Sequence, residues 1–89
     1  MAAQVELSKR LNDLITRAGR AKGDLIKLER TLGPQGAKPP AEIYAARDRI
    51  DAQISQAAFY AARGVNEAEP KFKDLDATVS VIEKYLKSQ

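Results

Sequence analysis

Leu7, Leu11, Leu14, Ala18, Ala21, Leu25, Leu28 and Leu32 recur at intervals of 4, 3, 4, 3, 4, 3 and 4 residues, with no polar residue in the row. A row at that spacing marks one long helix laid against another helix. Its partner helix can belong to the same chain, to a second copy or to a different protein, and the row is compatible with all three. Ile15 and Ile26 lie beside the row and widen it, so that a second helix as well as a first is expected to touch it.

Such patterning matters because the chain has little else to fold with. Of the 39 hydrophobic residues among 89, 15 are alanine, and Leu, Ile, Val and Phe together number 20. That is about 22% of the chain, close to the level at which a highly charged sequence stays disordered. At this length the fraction of surface buried on folding is small and stability marginal. Periodic placement and association with another surface are the two ways to compensate.

The first helix is expected over about 4–32, and its middle is unusual. Ala18, Gly19, Ala21 and Gly23 place four small residues within two turns, and each interior glycine costs about 1 kcal/mol against alanine. Two readings stand: a tolerated weakness, or close approach of a partner helix at Gly19 and Gly23. Their spacing resembles the small-xxx-small pattern of membrane helices, but the surrounding Arg and Lys exclude that setting.

The segment 33–40, GPQGAKPP, ends this helix. Gly33 suits the left-handed position after a helix, and Pro34 cannot continue one. Pro39 and Pro40 hold the chain extended until a second helix opens at Pro40 or Ala41. A loop of this length between helices reads as an antiparallel hairpin.

The second helix, about 41–65, carries Ile43, Ile50, Ile54, Ala57, Ala61 and Val65 on one face, interrupted by Arg47. Antiparallel pairing sets its alanine-rich end against Leu7, Leu11 and Leu14, so that large side chains meet small ones. Phe59 falls about 160° away from Ile43, on a back face with Ala45 and Ala52. Either a third helix covers Phe59 or it anchors a binding partner. Tyr60 and Tyr44 are the other aromatic candidates for partner contact on this helix.

Asn66 and Glu69 have capping-box spacing, while Pro70 favours a start near residue 69 or 70. A third helix is expected over about 70–87, with Phe72, Leu75, Val79, Ile82 and Leu86 as a second heptad row. Lys84 and Lys87 in its last turn suit the negative end of the helix dipole. The fold class that follows is all-α: a small antiparallel three-helix, up-down-up, coiled-coil-like bundle, a long helical hairpin plus a shorter third helix. An alternative keeps the first two helices as a hairpin and packs the third on a neighbouring molecule.

Charge narrows the function. Residues 1–40 hold eight Lys or Arg against four acids, and residues 41–89 hold seven against eight. Arg10, Arg17, Arg20 and Lys27 form a stripe along the first helix that could follow a phosphate backbone. Against that, Asp13 and Asp24 stand three or four residues from members of the stripe and neutralise it locally. No aromatic is interleaved for base stacking. Nucleic-acid binding is therefore the lesser reading and a solvated face the greater.

With neither cysteine nor histidine, the chain lacks disulfides, thiolate nucleophiles, imidazole metal sites and Ser-His or Cys-His catalysis. The acidic pairs Asp48 with Asp51 and Asp74 with Asp76 have Arg47, Arg49, Lys71 and Lys73 beside them, which reads as surface ion pairing. A chain this small and alanine-rich is not expected to enclose a dry pocket. No enzyme activity, cofactor, metal or small-molecule substrate is expected. The amino terminus lacks the apolar stretch of a signal peptide, and no run approaches a membrane span. A cytoplasmic location is the default, with signal-less secretion or residence in a virion left open.

The outline of a small helical hairpin with a proline-containing turn resembles secretion-needle subunits and small phage proteins, in architecture alone and without a shared residue motif. The expected function is that of a structural or adaptor subunit assembling through its heptad rows with itself or a larger protein. The alternatives are a small basic regulatory protein acting on nucleic acid and a small inhibitor masking a site on another protein.

Overall fold

In the computed structural model, which describes residues 2–89, three helices follow one another: α1 (Ala2–Leu32), α2 (Ala41–Ala61) and α3 (Val65–Lys87). Their side-chain pairings fix the directions. Lys22 meets Asp51, and Glu29 meets Tyr44 and Arg47, so residue numbers fall along α2 as they rise along α1. Arg10 meets Glu69 and Arg17 meets Asp76, so α3 runs parallel to α1. This is the up-down-up bundle expected from the sequence, 52 Å long and 18 Å across.

The rows that define the helices meet along its axis. Leu7, Leu14, Ala18, Ala21 and Leu25 of α1 are buried with Ile43, Ala46, Ile50, Ala57 and Ala61 of α2 and with Ala68, Phe72, Leu75, Val79 and Ile82 of α3. Six of these are alanines. They let the backbones approach closely, which is how a chain with few large apolar residues fills its interior. The third helix thus packs in cis.

The row on α1 is not covered evenly. Leu28 and Leu32 are only half-buried. The pairs Arg10–Glu69 and Arg17–Asp76 share an offset of 59 residues, so α3, ending at Lys87, runs out beside Leu28. Ile15 and Ile26, beside the row, are 37% and 48% exposed. The small residues Ala18 and Ala21 beside them are fully covered.

Both connections differ from expectation. After Leu32 the chain makes a 3-10 turn over Gly33–Gln35, and the left-handed residue is Gly36, at φ 72°, rather than Gly33. Pro34 sits at the start of that turn, where its fixed φ is compatible with a tighter helix. Pro40 then caps α2, its carbonyl accepting from the amides of Ile43 and Tyr44.

The second connection is shorter than expected. α2 stops at Ala61 and α3 starts at Val65, ahead of Pro70. Gly64 makes this possible: it takes φ 117° and ψ 170°, a conformation essentially reserved for glycine. Its carbonyl accepts from the Ala68 amide at 3.0 Å. Asn66 is accordingly inside α3 and does not cap it, and Val65 belongs to α3, 41% exposed, instead of ending the face of α2. Pro70 lies within α3, where it withholds only the amide that would have reached the exposed Asn66 carbonyl.

Candidate interaction face

The basic stripe on α1 divides into two engaged and two free members. Arg10 pairs with Glu69 through both guanidinium nitrogens and lies over the ring of buried Phe72, 5.0 Å from its centre. Arg17 donates to Asp76 at 2.8 Å, to Glu83 at 2.8 Å and to Ser80 at 3.4 Å. These charge-assisted bonds raise both arginines above their ordinary values, Arg17 mainly through Glu83 and then Asp76. They hold the Glu69 carboxyl below its ordinary value, chiefly through its hydrogen bond with Arg10. Arg20 and Lys27 are exposed, with no ion-pair partner among the described residues.

The acids that engage the stripe were visible in the sequence. Glu69, Asp76 and Glu83 recur every seven residues, as Arg10 and Arg17 do. Weighing the arginines against Asp13 and Asp24 on their own helix hides this match on another one. Between α1 and α3 lies an open, charged groove lined by Arg10, Asp13, Leu14, Phe72, Lys73 and Asp76. No group of three or more acids that could hold a metal ion occurs among the described residues.

The small residues expected to admit a partner helix are not approached from within the bundle. A Cβ built on Gly19 or Gly23 would meet nothing within 4 Å. Tyr44 and Tyr60 serve contacts inside the chain. Tyr44 donates to Glu29 at 2.9 Å and lies under the Arg47 guanidinium, and its partial desolvation together with that bond raises the phenol above its ordinary value. Tyr60 is half-buried, with the Lys71 ammonium 5.1 Å from its ring centre.

Phe59 stands apart from all of these. The third helix does not cover it: it is 58% exposed, edge-on to Tyr60 at 5.1 Å between ring centres and 5.5 Å from the Arg63 guanidinium. Its surroundings are as unusual as its exposure. From Ala52 to Ala62, eleven residues pass without an Asp, Glu, Lys or Arg, the longest such run in a chain that is 30% charged. Of these, Ala52, Ser55, Gln56, Ala58, Phe59 and Ala62 are exposed, and Gln53 holds a buried side-chain oxygen without a hydrogen-bond partner.

The exposed side of α2 also has a period. Ala45, Arg49, Ala52, Gln56 and Phe59 follow at intervals of 4, 3, 4 and 3, and all five are exposed; Arg63, four residues further on, is exposed just past the end of the helix. This outward seam has the spacing of the buried rows and lies on the opposite side of α2 from Ile43, Ile50 and Ala57. Polar residues at alternate positions conceal it from a search for apolar repeats.

No helix among the described residues is long and apolar enough to cross a membrane. Comparison of the chain with protein-family models, with curated proteins and with solved structures gave no match.

Proposed function

We propose that this chain is a non-enzymatic interaction protein, a structural or adaptor subunit that meets protein partners through the outward face of α2. The observation that carries the reading is Phe59, 58% exposed within the longest uncharged stretch of a heavily charged chain. Aromatic side chains set among small, uncharged neighbours are typical anchors of protein interfaces, because they desolvate a large area at little cost in side-chain entropy. The heptad rows of α1 and α3 are buried over most of their length. Assembly therefore falls to a surface the bundle leaves open, rather than to the rows themselves.

Nucleic acid is the weaker partner. A phosphate-tracking stripe needs its cations free, and Arg10 and Arg17 are held by Glu69, Asp76 and Glu83.

Photo-crosslinking in cells that naturally contain the protein tests the proposal. A photoreactive residue replacing Gln56 should give an adduct of discrete mass, lost when Phe59→Asp is added. The same residue replacing Lys84, on the outward side of α3, should give none. No adduct at Gln56, or equal labelling at both positions, would overturn the reading.

A further inference from the structure

Building on that reading, we infer that the partner seated on the outward face of α2 is a second copy of this chain, its α2 running antiparallel across a twofold axis. The inference rests on how the seam matches itself. In antiparallel pairing the a positions of one helix, here Arg49 and Gln56, face the d positions of the other, here Ala45, Ala52 and Phe59. With the axis between Ala52 and Gln56, Phe59 lies opposite Arg49 of the second copy, Ala52 opposite its Gln56, and Ala45 opposite its Arg63.

Each of these meetings is chemically favourable. Arg49 is exposed and has no ion-pair partner among the described residues, so its guanidinium is available for the face of a phenylalanine ring. Arg63 sits over Phe59 within its own chain but is neutralised by Glu67 at 2.7 Å, and the ring remains 58% exposed, so a second guanidinium can approach it. Gln56 against alanine is a large residue against a small one. Arg63 lies just past the end of α2 and is held by Glu67 of its own chain at 2.7 Å, so its charge is met before the second copy arrives. A parallel pairing would instead stack the unpaired Arg49 on Arg49, which like-charge repulsion disfavours. The seam is complementary to itself in one orientation, as a twofold interface requires.

The contact runs about 21 Å along a single helix, at the small end of specific interfaces. A dissociation constant of roughly 1 to 100 μM is therefore expected.

Sedimentation of the full chain between about 5 μM and 1 mM is the direct test. The mass should rise from 9.8 kDa toward twice that value and no further. Phe59→Asp and Arg49→Glu should each abolish the rise while the helical circular dichroism spectrum is unchanged, and Lys84→Glu should leave it intact. Because the chain has no cysteine, the orientation can be read by oxidation. A mixture of A52C and Q56C chains should form the mixed disulfide in preference to either self-disulfide. A monomer throughout, a mass rise indifferent to Phe59→Asp and Arg49→Glu, or preferred self-disulfides would overturn the inference. In the first of these cases a discrete crosslink from Gln56 to another protein would still uphold the interaction reading, so the two fail separately.

Discussion

Arg17 in α1 donates to both carboxylate oxygens of Glu83 in α3, at 2.8 and 3.3 Å, across 66 residues of sequence. The same guanidinium reaches Asp76, one heptad earlier, at 2.8 Å. Arg10 repeats the arrangement one heptad back, with Glu69. Together the two arginines and three acids fix the register of two parallel helices that are not neighbours in the chain. Burial of apolar rows alone specifies which faces meet; the ion pairs select one heptad offset among several.

Replacing Arg17 with alanine should therefore destabilise the bundle only modestly. Its side chain is 36% exposed and that of Asp76 54%, so solvent screens the pairs and a loss of about 1 kcal/mol is expected. Urea unfolding of R17A and the parent at low and high salt checks this. The difference should shrink at about 1 M salt, where screening is nearly complete. A difference that persists would assign the effect to packing of the arginine stem.

Glu69 gives the pH dependence its sign. Its folded-state pKa lies below the ordinary carboxyl value because Arg10 hydrogen-bonds the ionised form. The associated stability is present above the unfolded pKa of about 4.3 and is lost as pH falls through the depressed folded value. Thermal unfolding should show that acid-side loss in the parent, reduced in Arg10→Met. A carbon-detected titration of Glu69 should show its midpoint moving up toward the ordinary value in the same variant; an unmoved midpoint would remove Arg10 as the cause.

The glycines separate into two kinds. Gly64 holds φ 117° in the link between α2 and α3, and alanine there should cost about 1 to 3 kcal/mol. Gly19 and Gly23 are helical, and an added Cβ meets nothing, so alanine should stabilise by about 1 kcal/mol at each. Denaturant midpoints of the three variants should move in those opposite directions. A loss of stability in G19A or G23A would mean that something in the folded chain approaches α1 there.

Phe59 and Leu25 should separate interface from core. Leu25 is fully buried, and L25A should lose about 2 to 5 kcal/mol. Under dilute conditions F59A should stay within about 0.5 kcal/mol of the parent, as a surface change does. An F59A loss comparable to that of L25A would place the ring in the fold rather than on its surface.

The two heptad rows made the fold legible, because burial of a continuous apolar row is a strong and local constraint that one sequence displays in full. The short link was not legible. Pro70 reads as a helix start when residues are scored singly, whereas Gly64 six residues earlier, in a conformation open to little else, sets where α3 begins. The role of Arg10 and Arg17 was hidden for a related reason: an arginine is matched first to acids on its own helix, and the matching row lies 59 residues away. Phe59 was recognisable as a residue needing cover. That it goes uncovered follows from α3 joining the core on the other side of α2, where Leu75, Val79 and Ile82 are buried in one cluster with Ile50 and Ala57.

The heptad rows close on one another within a single chain. Thermal unfolding of the F59D variant across a hundredfold range of concentration tests it most directly, because that variant removes the contact proposed for the outward face. A single cooperative transition at constant Tm is the predicted result. A Tm that climbs with concentration would contradict the account and show that the rows are completed only by another molecule.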